Sequence, residues 1–309
     1  MPAYNVERSI EIERPAQEVI DYLSDFRHWP IWSPWLIMEP DCEVTYQGTP
    51  GEVGAGYHWS GKLVGEGRMT LASRSDSELR IPLEFIRPFR SNAQADFHIL
   101  PLNGRTQVTW TLSAKLPFFL FFLKATMEQS LGMDYERGLR MLKSQLETGS
   151  IPSQMTLIGR RSQPSMVYLA LRGEAPAAEL SSLIPAQFEQ LHEYCQQHDI
   201  QVTGAPFTLY EYMDMKTSVN SVRNAFPIAE RVAVTEPFIC SELDACETYV
   251  VSHRGAYPFV GNAWAMAFFA ARHFKVKLAK QPVGFEHYLS DPQTVPAEQL
   301  ETEIVLIAR

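Results

Sequence analysis

The sequence predicts an α+β protein of two consecutive domains, residues 1–150 and 151–309. The first domain is predicted from its order of elements: one strand, a helical stretch, several short strands and a long final helix. The second domain is predicted from an internal repeat, because one strand–helix–strand–strand pattern occurs twice. A chain of 309 residues has room for two such domains, each with its own core.

The elements of the first half follow from local patterns. Residues Tyr4–Arg14 alternate between polar and apolar side chains, which is typical of a half-buried strand. Pro15 favours a helix over Ala16–Phe26, since proline fits the first helical turn. A helical period returns from Leu116 to Glu147. Between these helices, strands are predicted near Cys42–Gln47, Ala55–Leu63, Gly67–Ser73, Leu79–Arg87, Arg90–Leu100 and Arg105–Lys115.

Several short segments of this half carry a family resemblance. They are Asp25–Trp29, Trp32–Trp35, Gly54–Gly61, Thr106–Trp110 and Gly138–Lys143. Over about residues 3–147 the sequence resembles START-like "helix-grip" (SRPBCC) proteins of the polyketide-cyclase type. The resemblance implies an antiparallel sheet, a C-terminal helix and an apolar cavity between them for lipids, polyketides or other hydrophobic ligands. Core packing is favoured over cavity lining for the aromatic strand residues Trp59, Phe85, Phe97 and Trp110.

The second half contains the repeat. Residues Val167–Gly173 match Tyr249–Gly255, and Pro206–Asp214 match Pro282–Leu289, with a predicted helix between the two segments of each copy. The Gly-, Ser- and Pro-containing stretch Gly149–Arg161 predicts the linker that precedes the repeat. Two copies related by a pseudo-twofold axis predict one sheet with helices on one face and a groove on the other.

Strand parity identifies candidate groove residues. Glu286 and Tyr288 share one face of their strand, and Tyr210 and Tyr212 share a face in the first copy. Superposing the copies places Tyr210 at the position of Glu286 and Tyr212 at that of Tyr288. One carboxylate among phenols would suit a flat, aromatic, cationic guest. From parity alone, an exposed glutamate on a solvated strand face is an equal alternative.

Two further aromatic residues are ligand-binding candidates. Tyr257 follows the strand of the second copy and would contact a ligand, or act with Glu286 as an acid–base pair, although packing is favoured over catalysis. Trp264 lies on the apolar stripe of the second predicted helix, where core packing is favoured over ligand contact. Glu286 and Tyr257 are therefore the only candidates for a catalytic role in this half, with Tyr210 as a second proton donor.

This half also carries a family resemblance. Residues His253–Tyr257, Phe285–Pro292 and Thr302–Ile304 occur in this order. Over about residues 155–309 the sequence resembles the GyrI-like effector-binding domain, a ligand-sensing module also attached to multidrug-responsive regulators. The resemblance implies that Glu286 lies at the bottom of an aromatic pocket and faces cationic or polar aromatic ligands.

Composition and charge exclude several other classes. The net charge is −9, divided into −4 for residues 1–150 and −5 for the rest, so direct nucleic-acid binding is disfavoured. Neither the four cysteines nor the eight histidines show metal-ligand spacing, and no cofactor motif occurs, so neither metal nor cofactor is expected. The eight-residue apolar run Leu116–Leu123 is too short to span a bilayer and is predicted to line a core or cavity. Scattered cysteines and the lack of a signal peptide predict a cytoplasmic protein.

Three functions remain open at this point. A small-molecule-binding protein with two ligand-binding domains is favoured, because no catalytic constellation is recognised. The first alternative is a hydrolase that detoxifies a reactive hydrophobic metabolite, with Glu286 polarising water and Tyr257 or Tyr210 donating a proton. The second alternative is a regulator that acts by contact with a protein partner.

Overall fold

The computed structural model describes residues 3–115, 122–214 and 217–309. The chain divides into two compact units, Met1–Ile151 and Pro152–Arg309. Each unit is built on an antiparallel sheet of eight strands with a few helices. The predicted α+β class is therefore confirmed.

The first unit follows the predicted order of elements. Its helices are α1 (Ala16–Ser24), α2 (Trp29–Trp32) and α3 (Lys124–Thr148). Its strands are β1 (Ala3–Ile12), β2 (Glu43–Gln47), β3 (Gly56–Ser60), β4 (Glu66–Thr70), β5 (Ser73–Arg74), β6 (Glu78–Arg87), β7 (Ser91–Leu102) and β8 (Arg105–Lys115). The sheet order is β1-β8-β7-β6-β4-β3-β2, and the short β5 pairs with β6. Of the apolar run Leu116–Leu123, residues 116–121 lie outside the described part of the chain.

The core of this unit is a cluster of aromatic rings where α3 meets the sheet. The ring of Tyr135 on α3 stacks on Trp110 of β8 with centroids 3.8 Å apart. Trp110 in turn stacks on Phe97 at 5.1 Å and contacts Trp32 edge-on at 5.5 Å. Trp59, another predicted core residue, is also buried. Aromatic packing therefore joins α3 to the sheet through large buried apolar surfaces.

The second unit contains two helices and eight strands. The helices are α4 (Leu180–Gln197) and α5 (Gly261–His273). The strands are β9 (Ser153–Gln163), β10 (Met166–Pro176), β11 (Phe207–Met213), β12 (Val219–Pro227), β13 (Phe238–Leu243), β14 (Cys246–Gly255), β15 (Gly284–Tyr288) and β16 (Glu301–Ile307). Their order in the sheet is β13-β10-β12-β11-β15-β16-β14-β9.

This strand order makes the repeat visible. Counting inward from either edge gives corresponding strands of the two copies, which meet at the central pair β11–β15. In that pair Leu209 lies opposite Phe285. On one side of them Tyr210 lies opposite Gly284, and on the other side Thr208 lies opposite Glu286. The pseudo-twofold axis therefore passes between Leu209 and Phe285, and it relates Tyr210 to Glu286.

Each copy contains one strand more than the sequence predicts. β9 precedes β10 along the chain but pairs with β14, while β13 precedes β14 but pairs with β10. The two copies thus exchange their first strands. The prediction of a linker over Gly149–Arg161 is wrong, because β9 begins at Ser153. This polar edge strand buries only part of one face, so it lacks the apolar pattern that marks a strand in sequence.

The helices cover one face of the second sheet. Alternate residues of β10 point to opposite faces, as strand geometry requires. On the helix-covered face, Leu169 and Leu171 pack with Leu191 and Cys195 of α4. The other face has its own apolar cluster, which includes Tyr168, Phe207, Leu209, Phe285 and Val305.

Candidate functional site

Glu286 lies in the middle of the second unit, on the central strand β15. Only 5% of its surface is exposed. Its side chain lies on the helix-covered face, because Trp264 of α5 donates its indole N–H to Glu286 Oε1 at 2.7 Å. The prediction that the groove with Glu286 lies opposite the helices is therefore wrong. Strand parity determines which residues share a face, but it does not determine which face the helices cover.

Three side chains donate hydrogen bonds to the Glu286 carboxylate, and all three are uncharged. The Tyr210 hydroxyl lies 3.1 Å from Oε1, which also accepts from Trp264. The Tyr288 hydroxyl lies 2.6 Å from Oε2. Within the described ranges, no lysine, arginine or histidine forms an ion pair with Glu286. Neutral donors stabilise a buried carboxylate without cancelling its charge.

Tyr210 and Tyr288 keep their hydroxyl hydrogens and so act as hydrogen-bond donors to Glu286. Burial, followed by the nearby charge of Glu286, raises the pKa of Tyr210 and of Tyr288 well above 10. Both hydroxyls are therefore protonated over the whole neutral range. Burial and the charges of Glu286 and Asp291 also raise the pKa of Tyr257.

Aromatic rings surround these donors in a second layer. The rings of Phe188 and Tyr257 contact the Tyr288 ring edge-on at 5.8 and 5.7 Å. On the other side Tyr210 contacts Trp264 edge-on at 5.0 Å, and Phe268 stacks on Trp264 at 5.8 Å. Tyr257 and Phe268 are partly exposed, so they form the outer boundary of this aromatic cluster.

A line of hydrogen bonds runs from the buried Tyr288 to helix α4. The Tyr288 hydroxyl lies 3.0 Å from Thr208 Oγ1, and the Thr208 hydroxyl donates to Asn224 Oδ1 at 2.7 Å. Asn224 Nδ2 donates to Gln187 Oε1 at 2.7 Å, and Gln187 Nε2 donates to the carbonyl oxygen of Arg172 at 3.0 Å. We call this set, from Tyr288 to Arg172, the polar chain. Thr208 and Asn224 are fully buried, so the polar chain begins in the interior of the unit and ends at the exposed bond between Gln187 and Arg172.

The structure brings most of the predicted site residues together. Tyr210, Tyr288 and Trp264 contact the Glu286 carboxylate directly. Tyr257 begins a short 3-10 helix after β14 and contacts the Tyr288 ring.

Tyr212 is separate from the cluster. A β-bulge lies between Tyr210 and Tyr212, so Tyr212 pairs with Ser221 and is 47% exposed. The prediction that Tyr210 and Tyr212 share a face is wrong, because the extra residue of a bulge reverses the parity beyond it.

Four residues around the carboxylate were not predicted from the sequence. Thr208 shares the strand parity of Tyr210, so the period of two could have identified it. Phe188 and Gln187 come from α4, and Asn224 comes from β12. Their contacts depend on how distant elements pack, and no local pattern indicates them.

A separate concavity lies on the face opposite the helices. Its volume is about 870 Å³, and Tyr212, Tyr168 and Leu209 contribute to its lining. Arg172 and Arg223 both pair with Glu211 there, at 3.1 and 2.6 Å. In this sheet groove both arginines are paired with Glu211, and the further acidic residues Glu174, Glu242 and Asp244 also line it.

The described ranges contain neither a metal-binding cluster nor a membrane-spanning helix. No group of three or more histidine, cysteine, aspartate or glutamate side chains in residues 3–115, 122–214 and 217–309 is arranged to hold a metal ion. No helix in the same ranges is long and apolar enough to cross a membrane.

Each half of the chain matches a protein family. Residues 3–147 match the family described as polyketide cyclase / dehydrase and lipid transport. Residues 161–307 match the family described as GyrI-like small molecule binding domain. Both family resemblances seen in the sequence are therefore confirmed. No curated protein sequence matches the chain.

Among the solved structures that are similar to this chain, three serve as examples. The EcmrR C-terminal domain has 18% identity and a TM-score of 0.45, with 52% of this chain and 99% of that domain covered. A cryo-EM structure of an EcmrR–DNA complex has 16% identity and a TM-score of 0.45, covering 60% of this chain and 65% of that one. The chain thus spans just under two thirds of that relative. SAV2435 bound to tetraphenylphosphonium has 13% identity and a TM-score of 0.38, covering 48% and 92%.

Proposed function

We propose, on the premise that residues 161–307 form a GyrI-like small molecule binding domain, that this unit binds an aromatic cation through Glu286. The supporting observation is a buried carboxylate that is held only by uncharged donors. A buried charge without a counter-charge is costly, and a cationic guest would supply the missing charge. The surrounding rings would add stacking and cation–π attraction.

The guest would reach the carboxylate through the outer rings. Because Glu286 is almost fully buried, at least one ring must move to admit a ligand. Tyr257 and Phe268 are partly exposed and have fewer constraints than the buried Tyr210, Tyr288 and Trp264. We therefore propose that a guest enters where one of these two outer rings, Tyr257 or Phe268, moves aside.

Binding is favoured over hydrolysis by the way the carboxylate oxygens are used. A general base must offer a free lone pair to water. Here Oε1 already accepts from Tyr210 and Trp264 and Oε2 accepts from Tyr288, so a single lone pair, on Oε2 of an almost fully buried side chain, is left for water. The hydrolase alternative, with Tyr257 or Tyr210 as proton donor, thus has less support from the geometry than binding does.

Outside the Glu286 site, we propose a hydrophobic ligand for the first unit and a cytoplasmic location for the protein. The first unit would bind a hydrophobic ligand, as its family description suggests, although its aromatic rings now pack on one another. All four cysteines are unpaired, which agrees with a reducing cytoplasm as the location. A net charge of −9 gives no support to direct nucleic-acid binding.

The test is a calorimetric titration of the full chain with a matched pair of ligands. The cation is (1-naphthylmethyl)trimethylammonium, and the neutral control is 1-naphthalenemethanol. We expect the Glu286→Gln variant to lose at least about tenfold in affinity for the cation, since one charge interaction is removed at a partly desolvated site. The neutral control should bind both proteins equally weakly. Absence of cation binding to the wild-type protein, or equal cation binding to Glu286→Gln, would contradict the proposal.

A further inference from the structure

The Glu286 carboxylate has one free acceptor position, and it belongs to Oε2. A carboxylate offers about four acceptor positions, two on each oxygen. Oε1 accepts from Tyr210 and Trp264, so both of its positions are used. Among the described residues, Oε2 accepts only from Tyr288. A guest that donates a hydrogen bond to Glu286 must therefore donate it to Oε2, next to the Tyr288 hydroxyl.

The Tyr288 hydroxyl has two acceptors within reach and one hydrogen to donate. Its oxygen lies 2.6 Å from Glu286 Oε2 and 3.0 Å from Thr208 Oγ1. Rotation about the phenol C–O bond would move the hydrogen from one acceptor to the other without moving any heavier atom. The phenol oxygen would then have its lone pairs free on the side of Glu286.

The polar chain fixes Thr208 as an acceptor for Tyr288. A backbone carbonyl can only accept, so Gln187 must direct its N–H group to the Arg172 carbonyl and its oxygen to Asn224. Asn224 therefore directs its own oxygen to Thr208, whose hydroxyl hydrogen is used in that bond. The lone pairs of Thr208 Oγ1 remain for Tyr288. A fully connected chain of this kind has one consistent direction of donation.

We propose that the Glu286 site selects aromatic cations that carry at least two N–H hydrogens, and that Thr208 determines this selection. As such a guest binds, the Tyr288 hydrogen turns to Thr208. One ammonium nitrogen then donates to both Glu286 Oε2 and the Tyr288 phenol oxygen, which lie 2.6 Å apart. A quaternary cation has no hydrogen to donate and gains only the charge interaction. This inference rests on the proposed function of the same site.

The first measurement uses the wild-type protein and one ligand series. Calorimetry at pH 7 compares 1-naphthylmethylammonium ions with three, two, one and no N–H hydrogens, made by successive N-methylation. We expect affinity to fall by about tenfold between the members with two and with one N–H, because one charge-assisted hydrogen bond is lost at that step. A series without this step overturns the selection while leaving cation binding through Glu286 intact.

The second measurement changes the acceptor of the Tyr288 hydrogen. In Thr208→Val the affinity step should disappear, because the hydrogen can no longer leave Glu286. The conservative Thr208→Ser variant keeps the hydroxyl and should keep the step. The quaternary ion, whose binding uses no N–H bond, is measured with all three proteins as the reference, and the step is read as the ratio of affinities within each protein, so that any general change of the site cancels. An unchanged step in Thr208→Val overturns the role of Thr208, and failure of every ion to bind the wild type overturns the proposed function as well.

Discussion

The two copies in the second unit share one arrangement of elements but differ at the few positions that make a site. The pseudo-twofold axis relates Tyr210 to Glu286 and Thr208 to Gly284. The first copy thus contributes a phenol and a hydroxyl, while the second contributes the carboxylate. A bulge removes Tyr212 from the shared face, whereas its counterpart Tyr288 stays beside Glu286 on an unbulged strand.

The differences between the two copies make the two sides of the Glu286 site unlike. If the two copies of the repeat were identical, a hydrogen-bond acceptor on the pseudo-twofold axis would have the same donor groups on both sides. Here the donors on Oε1 are fixed, while the donor on Oε2 has a second acceptor in Thr208. A guest would therefore meet two unlike ends of one carboxylate. Three predictions test how far each difference between the copies matters.

The largest effect on stability is expected from a larger side chain at Gly284, the residue of the second copy that corresponds to Thr208. In Gly284→Ala the new Cβ would clash with the backbone oxygen of Val305, which cannot move aside cheaply. We expect the free energy of unfolding to fall by about 3 kcal/mol, measured by urea denaturation. The control Gly204→Ala meets only Pro227, at 3.4 Å, and should change it far less. Equal stability of the two variants would contradict the close packing of Gly284.

A smaller, pH-dependent effect is expected from a buried histidine. His253 in the second copy corresponds to Leu171 in the first, and burial lowers the pKa of His253 to about 4. The unfolded chain, with a histidine pKa of 6.5, takes up the proton first as the pH falls. Stability from this residue is therefore full above pH 6.5 and is lost towards pH 4, by about 2 kcal/mol at pH 5.

Denaturation from pH 7 to pH 4.5 measures this loss. The variant His253→Leu, which gives the second copy the residue of the first, should lose less stability than the wild type over this range. The exposed His192 provides a matched control, and His192→Gln should keep the wild-type slope. If His253→Leu and the wild type respond equally to acid, the histidine is not buried in its neutral form.

The smallest effect is expected at Tyr212. Because its side chain is 47% exposed and lies outside the Glu286 cluster, Tyr212→Phe should change the free energy of unfolding by less than about 0.5 kcal/mol. Its affinity for a naphthylmethylammonium ion should equal that of the wild type. A clear loss of affinity would return Tyr212 to the site and would mean that the bulge straightens when a ligand binds.

Sequence reasoning succeeded where a short period determines the structure. The period of two placed Glu286 and Tyr288 together, and the repeat placed Tyr210 opposite them. It failed at Tyr212, because a bulge inserts one residue between Tyr210 and Tyr212 and a regular period of two gives no sign of it.

Prediction from the sequence was also limited by contacts between segments that lie far apart along the chain. The strand β9 was predicted as a linker because its partner β14 lies far along the chain. Asn224 and Gln187 were missed for the same reason, since only the packing of β12 and α4 brings them to Thr208.

The exchange of first strands has a consequence for how the second unit is made. During synthesis β9 emerges first, yet its partner β14 begins only at Cys246, after the whole first copy. Pairing over such distances is slow, and unpaired strand edges are open to association with other chains in the meantime. Neither copy can close its own sheet. The unit therefore completes its fold as a whole, since the edge strand of each copy is supplied by the other copy.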